Sequence, residues 1–188
     1  MNEILDRLDN LTINDIATID LNKINFVSSN DEIRSYINGM PGNEHYRLLC
    51  LLSTWFNNSF IYELGSFRGS SALCLAYNKQ NYVISYDIEY CIDVKRHVNM
   101  EFRQGNFECD KQLLQSPLLF IDVTHDGKLE KHIYDYLVKN NYKGLTIWDD
   151  IYLNSEMQDF WASVTHEKRD LTKFGHYSGT GAIIFSGT

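Results

Sequence analysis

From residue 60 onward the chain alternates short unbroken apolar runs with stretches whose apolar residues return every three or four positions. Phe60-Ile61-Tyr62 has the period of a buried strand, and Ala72, Leu73, Leu75 and Ala76 fit the buried face of a helix that stops near Asn78. Tyr82 to Tyr86 predicts a second strand ending in Asp87, and Val94 and Val98 predict a helix after it. Glu101 to Gln104 is a short third strand, and Pro117 to Ile121 is a fourth that ends in Asp122. The stripe Leu129, Ile133, Leu137 predicts a helix stopped at Asn140-Asn141, and Leu145 to Trp148 predicts a fifth strand ending in Asp149-Asp150. Met157, Phe160 and Trp161 suit one more helix, Leu171 and Phe174 lie near a sixth strand, and Ala182 to Phe185 form the last. Strands alternating with helices in this way specify an α/β fold, a parallel sheet covered on both faces.

The first 42 residues break the pattern, with small apolar clusters set among Asn, Asp and Ser. Ile4, Leu5, Leu8 and Leu11 predict one short helix and Ile13, Ile16 and Ile19 another. A third would start at Asn30 or Asp31 and end at Gly39. Residues 1–42 therefore read as a helical arm, a lid, a cap or a homodimer contact rather than an independent domain, and residues 43–188 as the main domain. Leu48, Leu49, Leu52, Trp55 and Phe56 give that domain a stronger opening helix.

Composition removes several function classes. A chain of 188 residues suits one domain with a sizeable core. Its formal charge of −8, with no dense Lys/Arg run, excludes nucleic acid as the main partner. Cys50, Cys74, Cys91 and Cys109 show no C-x-x-C spacing and read as free buried thiols of a reducing compartment. No apolar stretch is long enough for a bilayer, and Met1-Asn2-Glu3 does not open a signal peptide, so the expectation is a soluble cytoplasmic protein.

Candidate chemistry gathers where predicted strands end. Glu63, Gly65, Ser66, Gly69 and Ser71 form a strand-to-helix turn, E-x-G-x-x-x-G-x-S. Gly65 permits a turn closed to most residues, Gly69 removes a side chain where a ligand would approach, and the helix N-terminus presents free N–H groups to an anion. Asp87 sits where a ribose diol would be held, and Asn106 and Phe107 follow the third strand where such a fold contacts adenine. Asp122, Asp149 and Asp150 would repel one another unless a proton or a hard divalent cation such as Mg²⁺ neutralised them. His125, three residues after Asp122, is placed to take a proton from a hydroxyl. His45, His97, His132, His166 and His176 have no such setting and read as surface or core residues. Trp148, Tyr152 and Tyr177 fall near the expected crevice, and residues 176–181 read as a hairpin connection.

The glycine turn resembles motif I of class I S-adenosylmethionine-dependent methyltransferases. Asp122-x-x-His125 followed by Asp149-Asp150 resembles the metal-dependent O-methyltransferases of that fold, most closely the macrolide sugar enzymes of the mycinamicin and macrocin type and their cephalosporin-hydroxylase-like relatives. The resemblance implies a Rossmann-like, mostly parallel seven-stranded sheet whose last strand is antiparallel. It also implies S-adenosylmethionine as cofactor and a small-molecule hydroxyl, on a sugar-containing product or a catechol-like diol, as acceptor. Asp122, Asp149 and Asp150 would then hold Mg²⁺, His125 would be the base, Asp87 would hold the ribose and Ser71 the methionine carboxylate. The macrolide enzymes carry Glu-Asp where this chain has Asp149-Asp150. A protein of the same fold that binds the cofactor without chemistry is the competing reading. His125 and the three acids speak against it. A dinucleotide enzyme would need G-x-G-x-x-G, which is absent.

Overall fold

Strands buried on both faces read as unbroken apolar runs, and here those runs build the sheet. The structure, a computed structural model, describes residues 2–24 and 42–186. Its seven strands are β1 (Phe60–Leu64), β2 (Tyr82–Asp87), β3 (Met100–Gln104), β4 (Leu118–Ile121), β5 (Gly144–Asp149), β6 (Glu167–Asp170) and β7 (Thr180–Phe185). They lie in the order β3-β2-β1-β4-β5-β7-β6. The first five are parallel, and β7 runs antiparallel between β5 and β6. This is a Rossmann-like methyltransferase fold, as the sequence implied.

Alternate residues of each strand feed two cores. On one face Ile61, Val83, Leu118, Phe120, Leu145 and Ile147 pack with α3 (Gly42–Ser53) and α4 (Ser70–Leu75). On the other, Tyr62, Leu119, Ile121 and Trp148 pack with α5 (Lys128–Lys139) and α6 (Ser155–Ser163). The described part of the arm, α1 (Asn2–Asp9) and α2 (Ile13–Ala17), adds Leu8, Leu11, Ile16 and Ile19 to the first core. Each such side chain contributes roughly 1.5–3 kcal/mol on burial. Arg169 of β6 reaches Asp9 of α1 at 2.6 Å, a second tie between arm and sheet. The arm helix expected near Asn30 to Gly39 lies outside the described residues.

Three expectations need correcting. Residues 88–99 contain no helix: Val94 packs into the first core, whereas Ile88, Tyr90 and Val98 are exposed, so no continuous apolar stripe exists to hold a helix. Cys50 and Cys74 are buried, but Cys91 and Cys109 are exposed. Trp148 is fully buried, and its indole N–H donates to Thr146 at 2.7 Å, so it belongs to the core and not to a pocket.

The sheet order reverses between β1 and β4, and a ligand crevice opens at such a point. Gly65 ends β1 there at φ +93°, with its N–H donating to the Tyr86 carbonyl at 2.8 Å. A Cβ on Gly65 would lie 1.6 Å from the Asp122 carbonyl oxygen. Gly105, also at positive φ, has nothing within 4 Å of its would-be Cβ. Gly65→Ala should therefore lose much more stability than the roughly 1 kcal/mol of an unfavourable φ alone. Gly105→Ala should lose only that conformational part, and urea midpoints for the two variants would separate them.

Candidate functional site

The carboxyl edge of the sheet carries a cavity of about 700 Å³, within the usual range for a small-molecule site. Gly65, Asp87, Asn106, Phe107, Asp122 and His125 all line it. The Asp87 carboxylate accepts from the Phe67 N–H at 2.8 Å and the Glu89 N–H at 3.1 Å, which fastens the glycine turn to the end of β2.

Glu63, Ser66, Gly69 and Ser71 sit behind this wall. Glu63 is fully buried and accepts from the Ser85 hydroxyl, while its other oxygen has no hydrogen-bond partner among the described residues; Ser66 and Ser85 share a 2.5 Å hydrogen bond. A Cβ on Gly69 would meet Val94 and Phe102, so the close approach at that glycine is to the protein's own side chains. Burial pushes the Glu63 carboxyl up to about 8 against the pull of the nearby Ser71 and Ser85 hydroxyls, and the charges of Asp122 and Asp87 add to burial. It is therefore protonated at neutral pH.

Beside the cavity lies a cluster of acids and imidazoles. The pair Asp149-Asp150 ends β5, and one oxygen from each and a nitrogen of His176 lie within 4.8 Å of one another. His176 Nδ1 is 3.0 Å from Asp150 Oδ1, and the Ser178 hydroxyl donates to the same oxygen. His45, in the first turn of α3, directs Nδ1 at Asp149 Oδ1 from 3.7 Å. Both atoms are buried and neither has a hydrogen-bond partner among the described residues. Asp122 stands outside that tight group and joins it through His125, whose Nε2 is 3.1 Å from Asp122 Oδ1 and 3.6 Å from Asp150 Oδ2.

The charges settle unequally. Burial, then the charges of Asp122 and Asp150, holds the Asp149 carboxyl well above the ordinary carboxylate range. Burial opposes ionisation of Asp150 as well, but His176 and Ser178 donate to it and the pull of His125 adds to them, so its pKa falls. His45 is depressed to about 4 by burial and by the nearby charge of His176. His125 is raised: burial works against its charge, but Asp122, Asp150 and Glu130 outweigh it.

His125 and Asp150 both adopt left-handed backbone, at φ 54° and 57°, a conformation that costs side-chain-bearing residues of order 1 kcal/mol or more. Two groups absent from the sequence reading hold the His125 turn. The carboxylate of Glu130, itself buried, accepts from the His125 N–H at 2.7 Å. Asn154 caps α6 through Met157 N–H and donates Nδ2–H to the His125 carbonyl at 2.9 Å. Helix α5 is capped instead by Asp126, which accepts from Lys128 and Leu129 N–H at 2.9 and 3.0 Å. That leaves the His125 ring free to face the acids.

Sequence reading assigned no role to His45 and His176, and the fold places both beside the acidic pair. Residues 176–179 form the turn between β6 and β7, as expected of a hairpin connection, and pair with the loop after β5 through Ile151 N–H to Gly179 and Tyr152 N–H to Ser178. Because β7 runs antiparallel to β5, its start lies beside the end of β5, with Thr180 opposite Asp149. Helix α3 leads straight into β1, which brings its first turn back over the carboxyl edge. Tyr152 and Tyr177 are exposed.

No family model matches the sequence, and no curated protein does. Solved structures do. An O-methyltransferase from Bacillus cereus bound to SAH is 14% identical, with a TM-score of 0.53 over 84% of this chain and 92% of that one. The O-methyltransferase TomG from Streptomyces achromogenes, with SAM, is 12% identical at 0.56 over 90% and 96%. A putative caffeoyl-CoA O-methyltransferase from Staphylococcus aureus is 16% identical at 0.55 over 93% and 100%. At such identities the likeness establishes the fold. Among the described residues no helix is long and apolar enough to cross a membrane.

The state of Glu63 has a measurable consequence. A glutamate carboxyl ordinarily titrates near 4.5, and burial raises this one to about 8. Between those values the native state holds a proton that the unfolded state lacks, so stability falls as pH rises from about 4.5 through 8. Glu63→Gln should flatten that part of the profile, as read by urea unfolding at three pH values across the window. An unchanged slope would place the proton elsewhere.

Proposed function

We propose that this chain is an S-adenosylmethionine-dependent, divalent-metal-dependent O-methyltransferase acting on a small-molecule hydroxyl. The observation that carries the reading is the meeting of His125 with Asp122 and Asp150 at the wall of a cavity lined by Gly65, Asp87, Asn106 and Phe107. The solved neighbours of the same fold include SAM- or SAH-bound O-methyltransferases, which supports the choice of cofactor. A cation fits the acids: Asp149 Oδ1 is buried without a hydrogen-bond partner among the described residues, and only a proton or a positive ion relieves the crowding.

When bound, S-adenosylmethionine supplies an activated methyl group and the cation a positive charge beside the acceptor oxygen. In this reading Asp87 would accept from the ribose hydroxyls, and Asn106 and Phe107 would flank the adenine. Gly65 keeps the turn close to β4. Asp149 and Asp150 would hold the cation, with Asp122 next to them against His125. His125 would take the acceptor's hydroxyl proton, and the charge of Asp122, 3.1 Å from Nε2, would stabilise the imidazolium that forms. Glu130 and Asn154 fix the backbone that carries it. The acceptor class is a sugar hydroxyl of the macrolide type or a vicinal diol such as a catechol.

The test is transfer of a labelled methyl group from S-adenosylmethionine to a panel of sugars and catechols. Transfer should stop with EDTA and return with a divalent cation. His125→Ala should lower kcat by about 10²–10⁴-fold, with a smaller loss for more acidic hydroxyls. Full activity after exhaustive chelation would reject the metal, and near-normal turnover of the variant would reject His125 as the base.

A further inference from the structure

An all-oxygen site of Asp122, Asp149 and Asp150 would suit Mg²⁺, yet the atoms nearest the buried oxygen of Asp149 include two imidazole nitrogens. His45 Nδ1 lies 3.7 Å from Asp149 Oδ1, and His176 Nδ1 lies 4.0 Å from the same oxygen and 3.0 Å from Asp150 Oδ1. The two rings stand 5.6 Å apart between centroids. The side chains of His45 and Asp149 are 8% and 9% exposed, and their facing atoms have no hydrogen-bond partner among the described residues. Leaving a buried polar atom unpaired is costly, and here two such atoms point at one another across a gap too wide for a hydrogen bond. Donors that share one ion at about 2.1 Å stand roughly 3.0–3.4 Å apart. Asp149, Asp150 and His176 already lie within 4.8 Å of one another, and His45 faces the buried oxygen of Asp149 from 3.7 Å.

We infer that His45, His176, Asp149 and Asp150 form one mixed nitrogen–oxygen centre that takes a first-row transition-metal ion, such as Mn²⁺ or Zn²⁺, in preference to Mg²⁺. Imidazole suits Zn²⁺, Mn²⁺ accepts it beside the carboxylates it prefers, and Mg²⁺ favours oxygen and keeps its waters. His45 comes from α3, ahead of the sheet, so the ion ties the helix nearest the arm to the ends of β5 and β7. Asp122 stays outside the centre, where it serves His125. The inference deepens the proposed function at its metal site but can be tested without turnover.

The experiment is calorimetric titration of the full chain, freed of metal, with Mn²⁺, Zn²⁺ and Mg²⁺, together with His45→Ala, His176→Ala and Asp122→Asn. Mn²⁺ should bind one-to-one and at least about tenfold more tightly than Mg²⁺. Removing either imidazole should weaken Mn²⁺ by about 10–100-fold or more, because even outer partners of a metal ligand are worth that much. Asp122→Asn should change it far less. Pulsed electron paramagnetic resonance of the Mn²⁺-loaded native protein needs no variant and should show ¹⁴N coupling from two imidazoles. Absence of nitrogen coupling, equal affinity for Mg²⁺, or Mn²⁺ affinity that depends on Asp122 and not on His45 would overturn the inference. Nitrogen coupling with no methyl transfer to any acceptor would sink the proposed activity and leave the metal centre standing. Transfer with an oxygen-only Mg²⁺ site would do the reverse.

Discussion

A carboxyl group buried at the end of a strand, beside a second one, is the constraint on which the carboxyl edge of this sheet depends. One oxygen of Asp149 and one of Asp150 lie within 4.8 Å. Two like charges at that distance repel by roughly 3–4 kcal/mol at an effective dielectric of 20, while an ordinary hydrogen bond returns only about 0.5–1.5 kcal/mol. Hydrogen bonds from Ser178 and His176 therefore stabilise Asp150 alone, and Asp149 is left to hold a proton or face a cation. Each element that meets at this point, α3, β5 and the β6–β7 turn, brings a nitrogen or an oxygen to it.

The same edge stores backbone strain. His125 and Asp150, both left-handed, approach each other at 3.6 Å, and the turn that carries His125 is held by Glu130 on α5 and Asn154 at the start of α6. Those two helices are fixed by their apolar faces, Ile133 and Leu137 on one and Met157 and Phe160 on the other. Core packing is thus what holds an imidazole against two aspartates at the wall of the cavity. Across the reversal of strand order, Gly65 lets β1 and β4 close together, which sets Asp87 and Asp122 on opposite sides of one crevice.

Sheet and crevice were legible in the sequence because buried parallel strands are short unbroken apolar runs, and the residues that end them sit on one edge. Glu63, Asp87, Asp122 and Asp149 each close such a run. The segment after β2 was misjudged because Val94 and Val98 share a helical spacing without a stripe to support it. His45 and His176 read as surface or core residues for another reason. Neither follows a parallel strand: one opens a helix that runs back over the edge, the other precedes an antiparallel strand. An antiparallel last strand beside β5 does imply that its leading turn borders Asp149, so the signal for His176 was present in the topology, not in the local spacing. Glu130 and Asn154 act through backbone atoms of His125, and nothing in residue type announces that.

The proposed function requires a nucleoside site in the crevice between β1, β2 and β4. Calorimetric titration with S-adenosylhomocysteine measures this without knowledge of any acceptor. One-to-one binding is predicted, with no comparable heat from NAD, and Asp87→Ala should weaken it by at least about tenfold through loss of a charged hydrogen-bond acceptor. Equal binding of NAD, or an affinity indifferent to Asp87, would contradict it.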